Sequence, residues 1–215
     1  MKKIIFVTIV FIFTFLIYYL NIDKDIYYVS LGDQLSQGVN NYNKIEYNYN
    51  IGIKHSLGSK LKKYVNYSVL EDYRVNDLIN DINYNKTINY NNKEYKLQNL
   101  IIKSNYIIIS IGMNDLIYTK NLNYNYVDSL LLDIEKLIIL LRKYNKDKIY
   151  FLSFYNIINN KELIEYTNKK LSNICRDNKI NYIDISNLDK YIIKGIYPTI
   201  DGYYYITDKI INFTK

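Results

Sequence analysis

The sequence predicts an α/β domain in which a five-stranded parallel sheet lies between two layers of helices, a three-layer α/β/α arrangement. Three observations predict it. Short β-rich runs alternate with segments whose apolar residues recur at helical spacing, from residue 26 to the C-terminus. The run Tyr106-Ile107-Ile108-Ile109-Ser110-Ile111 is almost continuously apolar, as suits a strand covered on both faces. Polar, glycine-bearing segments follow several of the strands directly, where an open parallel sheet carries its functional residues.

The elements follow in chain order. A first strand over 26–31 ends at Gly32-Asp33, and apolar positions at helical spacing run through 49–64. A second strand over 66–70 and a short helix over 75–82 precede the apolar third strand. The segment 126–144 is an amphipathic helix with Leu130, Leu131, Ile134, Leu137, Ile138 and Leu141 on one side. A fourth strand over 148–154, a helix over 161–177, a fifth strand over 181–185 and a closing helix over 203–213 complete the alternation. The Asn- and Tyr-rich stretches 40–50 and 83–92 read as polar loops. No repeat or linker divides residues 26–215, which form one domain.

The N-terminus carries a targeting signal. Lys2-Lys3 precede an apolar run from Ile4 to Leu20, interrupted only by Thr8 and Thr14. That length sits at the short end of a membrane-spanning helix, and no small-x-small cleavage site follows. Residues 1–22 therefore read as an uncleaved signal anchor, with the lysines inside and the domain extracytoplasmic. Secretion after signal-peptide cleavage is the alternative.

Composition excludes several chemistries. One cysteine, Cys175, rules out an intramolecular disulfide, and its place in a helix points to a buried, inert thiol. No His, Cys or carboxylate cluster has metal-ligand spacing, so neither metal nor cofactor is implied. The net charge is +7, to which Lys2 and Lys3 contribute, and it suits an anionic membrane or wall surface as well as a solvated exterior. Without a recognisable motif it does not argue for nucleic-acid binding. The 27 tyrosines, set against one proline and no tryptophan, read as composition bias before they read as function.

Three segments fall where a site belongs: Leu31-Gly32-Asp33-Gln34-Leu35-Ser36-Gln37-Gly38, Asn66-Tyr67-Ser68-Val69-Leu70-Glu71-Asp72 and Ser110-Ile111-Gly112-Met113-Asn114-Asp115-Leu116. Near the C-terminus, Lys194-Gly195-Ile196-Tyr197-Pro198 leads into the last helix. In this order and spacing the four segments resemble the SGNH/GDSL hydrolases, the GDSL-type lipases and acylhydrolases, over essentially the whole chain from Ile26. The resemblance implies a flavodoxin-like fold and a serine-esterase site. It places Gln34 where the nucleophilic serine belongs and Glu71 where a glycine N–H would face the oxyanion. Asn114 matches the side-chain oxyanion donor, Lys194 replaces the orienting aspartate, and Tyr197 replaces the histidine base. Only Asn114 is retained.

The departures are chemically severe. An amide cannot serve as an activated nucleophile, and a phenol is a poor base near neutral pH. The sole histidine, His55, lies away from every motif. Ser36 and Ser153 are the other candidate nucleophiles, with Lys194 as a conceivable partner base. Gly32, Asp33, Gly112 and Asp115 also suit the turns themselves.

Three functions follow as expectations. The first is a catalytically inactive descendant that binds or scaffolds at the cell surface, its partner a membrane lipid, an acyl ester or a cell-surface glycan. The second is a working esterase or carbohydrate-directed hydrolase with non-standard residues, for which Asp33, Glu71 and Asp115 are the available carboxylates. The third is a spacer whose fold alone matters.

Overall fold

The computed structural model describes Ile12 and residues 26–40, 42–69 and 72–214. Apart from Ile12, the expected anchor over 1–22 lies outside them. Among the described residues, no helix is long and apolar enough to cross a membrane.

The sheet has five parallel strands, as expected: β1 (Ile26–Gly32), β2 (Leu61–Ser68), β5 (Tyr106–Ser110), β6 (Lys148–Leu152) and β7 (Asn181–Ile183), in the order β2-β1-β5-β6-β7. The chain steps from β1 out to β2, then crosses back over β1 to build β5, β6 and β7 on the other side. The order therefore reverses between β1 and β5, and in such sheets the ligand crevice lies at that switch point, at the carboxyl ends of the strands. The central strands earn their position by composition: Val29, Leu31, Ile107, Ile109, Ile149 and Phe151 are all buried.

The helices cover both faces. After β1 come the single turn α1 (Gln34–Gln37) and α2 (Tyr49–Leu57). Beyond β2 lie α3 (Val75–Asn83) and α4 (Leu97–Lys103), beyond β5 α5 (Met113–Ile117) and α6 (Tyr124–Tyr144), then α7 (Lys161–Asp177) and α8 (Ile200–Thr214). Helix α2 packs on α8, while α3, α4, α6 and α7 pack together. The longest, α6, shows how sequence becomes packing. The Asn123 side chain accepts from Tyr126 N–H to start it, and every apolar residue expected on its inner side is buried, joined by Val127. Cys175 is buried in α7 and free, and burial pushes its thiol up to about 12.

Two expectations need correction. Helical spacing does not continue to residue 64: α2 ends at Leu57, where Gly58 turns with φ +52°, and Leu61 already belongs to β2. There Val65 and Tyr67 are buried on alternate positions, a strand period that overlaps the helical one in a short apolar run. The 83–92 stretch is not all loop either. It holds strand β3 (Thr87–Tyr90), paired antiparallel with β4 (Lys93–Lys96) around Asn91 and Asn92. Both asparagines have positive φ, the backbone that a two-residue hairpin turn demands and that asparagine tolerates. Helix α4 follows, with Leu97, Leu100 and Ile101 buried at helical spacing.

The tightest joint is at Gly32. Asp33 N–H donates to Ser110 O at 3.1 Å, Val69 N–H donates to Gly32 O at 3.1 Å, and a Cβ on Gly32 would lie 2.2 Å from Ser110 O. Gly32→Ala should therefore force β1 and β5 apart, lowering unfolding free energy by roughly 2–4 kcal/mol in urea titration. A loss within experimental error would show that the joint yields freely.

Candidate functional site

At the crevice between β1 and β5 the structure brings together two of the five expected site residues, Gln34 and Asn114. Asp33 caps α1: its Oδ1 accepts from Leu35 N–H at 3.1 Å, which seats Gln34 at the first helical position. Across the crevice, Gly112 takes φ +104° so that α5 can begin immediately after β5, and Asn114 enters its first turn. A Cβ on Gly112 would also press on the Phe154 ring at 3.1 Å.

Gln34 and Asn114 meet directly. Asn114 Nδ2 donates to Gln34 Oε1 and to Tyr73 O, each at 2.9 Å, and both side chains are buried. These bonds occupy both amide hydrogens of Asn114. The carbonyl oxygen of Gln34 thus takes one of the two hydrogens that Asn114 Nδ2 offers.

Tyr197 lies on the segment joining the 3₁₀ turn Ser186–Tyr191 to α8 and is half-buried. Burial, then Tyr118 and Asp33, pushes its phenol up to about 12, further from service as a base at neutral pH. Lys194, three residues earlier, is exposed. Glu71 lies outside the described residues.

The alternative nucleophiles are committed elsewhere. Ser36 is fully buried and its hydroxyl donates to Asp33 O at 3.0 Å. Ser153 Oγ accepts from Ile185 N–H at 2.8 Å and donates to Asp184 Oδ1 at 3.3 Å, pinning β6 to the end of β7. His55 is exposed on α2.

Several residues that build the site carried no motif. Tyr73 supplies the carbonyl that holds Asn114, and no side-chain pattern announces a backbone acceptor. Tyr155, fully buried, donates from its hydroxyl to Ile196 O at 2.8 Å and ties the Tyr197 segment to the carboxyl end of β6. Its position just past the fourth strand was the available signal. Tyr126 Oη donates to Asp115 O at 3.0 Å, anchoring α5 to α6.

Two buried carboxyls lie at the crevice. Asp33 is 1% exposed, and its Oδ2 has no hydrogen-bond partner among the described residues. Burial pushes it up to about 7, opposed by Leu35 N–H and reinforced by Asp115. Burial likewise pushes Asp115 up to about 6, against the pull of Val75 N–H, which donates to its Oδ2 at 3.2 Å, and of Arg74.

Both acids hold their protons more tightly folded than unfolded. Their contribution to stability is therefore complete below pH ~4 and is lost as pH rises through about 6 to 7. Asp33→Asn keeps the acceptor for Leu35 N–H and removes the buried charge. The variant should melt several degrees above the wild type at pH ~8 and no higher than it at pH ~4, by thermal unfolding. An equal shift at both pH values would count against a buried, titrating Asp33.

No family model matches the chain, and comparison with curated proteins finds no match. Solved structures are similar throughout the domain. The lipase Lip_vut3 from a goat rumen metagenome covers 87% of this chain and 96% of its own at 18% identity, with a TM-score of 0.67. A catalytic mutant of Axe2, an acetylxylan esterase from Geobacillus stearothermophilus, covers 88% of this chain and 94% of its own at 12% identity and a TM-score of 0.66. A member of the lipolytic G-D-S-L family from Veillonella parvula covers 87% and 98% at 15% identity and a TM-score of 0.62. With the sheet order and the crevice described above, these likenesses identify the fold: the chain has the fold of the SGNH/GDSL hydrolases.

Proposed function

We propose that this is a catalytically inactive SGNH/GDSL domain that binds or scaffolds at the outer face of a membrane, tethered by residues 1–22. One observation carries the reading of inactivity. The oxyanion-donating amide of Asn114 is bonded to Gln34 Oε1, so the residue that replaces the nucleophile also fills the place of the acyl oxygen. Losing the nucleophile or base of a serine hydrolase costs about a millionfold in turnover, whereas one oxyanion donor contributes about a hundred- to a thousandfold. Asn114 therefore leaves no useful rate behind. A lipase and an acetylxylan esterase share this fold, which favours an acylated lipid or glycan as the molecule recognised at the crevice.

The full chain in non-ionic detergent should hydrolyse p-nitrophenyl acetate no faster than buffer. Gln34→Ser combined with Glu71→Gly, Lys194→Asp and Tyr197→His should restore measurable turnover. Wild-type turnover that disappears in Asn114→Ala would overturn the reading. The tether predicts recovery in the membrane fraction at full mass, with the domain open to protease added outside; a shortened, soluble product would instead mean cleavage and secretion.

A second reading rests on Asp33, a buried carboxyl with an unpartnered oxygen and a pKa of about 7, which suits general acid–base work in a hydrolase of altered chemistry. It requires an ester or glycoside substrate whose hydrolysis is abolished by Asp33→Asn while the fold is retained.

A further inference from the structure

A wide groove lies outside the crevice. It runs along β2, which pairs with β1 on one side only, and is closed by the α2 end and the β3–β4 hairpin. Its volume is about 1090 Å³. Lys54, Lys62, Lys63 and Lys86 line it together with His55, and none of its described lining residues is acidic. The Lys63 ammonium stands 4.1 Å from the centre of the Tyr95 ring, and burial, then Lys103 and Lys93 outside the lining, pulls it below its usual range. Lys86 is partly neutralised by Asp81, 3.0 Å away at the groove's edge. Lys54 and Lys62 are exposed.

The polar groups of the wall add a second requirement. Asn66 Nδ2 donates to Ser36 O at 3.1 Å and Gln37 Nε2 to Ser68 O at 3.4 Å, which fixes both amides. Their oxygens, Asn66 Oδ1 and Gln37 Oε1, are buried and have no donor among the described residues. Asn48, Asn89 and Asn91 contribute three more amides to the lining. The groove thus offers ammonium groups for anions and, on Asn89 and Asn91, exposed amides for hydroxyls.

We propose that this groove binds an acidic glycan, a hydroxyl-rich chain bearing carboxylate or phosphate groups. The anionic groups would meet Lys54, Lys62 and Lys63, and hydroxyls would pair with the exposed amides of Asn89 and Asn91. Two other ligands fit less well. Single-stranded nucleic acid needs open ring faces for its bases. Here Tyr64 is stacked on Tyr28 at 5.4 Å and meets Tyr90 edge-on at 5.8 Å, and Tyr67 is buried against Tyr73. A neutral peptide added to the β2 edge would pair with the strand's backbone but bring no anionic group to the four lining lysines. The proposal does not depend on whether the crevice at Gln34 is catalytic.

The test is titration of the full chain in non-ionic detergent with oligogalacturonate, poly(glycerol phosphate), neutral xylo-oligosaccharide, oligo(dT) and polyglutamate. Binding of either acidic glycan that weakens as salt rises is expected, with the neutral sugar at least about tenfold weaker. Oligogalacturonate alone would assign the anion as carboxylate, poly(glycerol phosphate) alone as phosphate, and both as charge without preference. Lys54→Glu with Lys62→Glu should weaken the interaction about tenfold or more at unchanged melting temperature. If that pair lowers the melting temperature, Lys54→Gln with Lys62→Gln is read in its place. Four results would overturn the proposal: no binding of either acidic glycan, equal binding of the neutral sugar, tighter binding of oligo(dT) or polyglutamate, or no effect of the lysine variants.

Discussion

The close approach of β1 and β5 at Gly32 is the constraint on which the crevice depends. Ser110 O receives Asp33 N–H at a point where no side chain fits, and the same glycine's carbonyl receives Val69 N–H from the β2 end. Three chain segments that are distant in sequence are thereby held at one height above the sheet. The Gln34–Asn114 bond, spanning 80 residues of chain, follows from that spacing. The Asn114–Tyr73 bond then binds the segment after β2 into the same cluster. The Gln34–Asn114 bond gives a buried donor and a buried acceptor each a partner across the crevice.

Tyrosine does much of the work that other residues often do in such a core. Tyr203 Oη donates to Val39 O at 2.7 Å, Tyr155 Oη holds the Tyr197 segment, and Tyr67 and Tyr73 both donate to Asp81 Oδ2. Each ring fills apolar volume while its hydroxyl satisfies a carbonyl or carboxylate. Whatever bias raised the tyrosine content, the fold has used it for packing and for fastening loops. Burial pushes the phenols of this group upward, so they stay neutral and act as hydrogen-bond donors.

The altered site is coherent in chemical terms. Gln34 offers an amide rather than a hydroxyl, and its carbonyl accepts from Asn114. Burial raises the Tyr197 phenol, so it stays protonated at neutral pH. What persists is the architecture that positions groups at the switch point of the sheet. The basic groove along β2 is a separate surface, set by the open edge of the sheet and by the β3–β4 hairpin beside it.

The strand–helix alternation, the α6 apolar stripe and the three turns after β1, β2 and β5 were legible in the sequence, because burial on both sheet faces and turn chemistry leave local signatures. The β3–β4 hairpin was legible only in part: Asn91 and Asn92 mark its turn, yet its strands are short and polar. The early start of β2 was hidden, since 61–64 satisfies both helical and strand periods until Gly58 breaks the chain's direction. By itself the sequence determined the fold class and the order of the turns that follow the strands. Only the tertiary structure decided that Gln34 and Asn114 satisfy each other, that Ser36 and Ser153 are occupied and that a basic groove opens along β2. The physical reason is that hydrogen bonds between distant segments, and the field of lysines gathered from separate elements, exist only once the chain is packed.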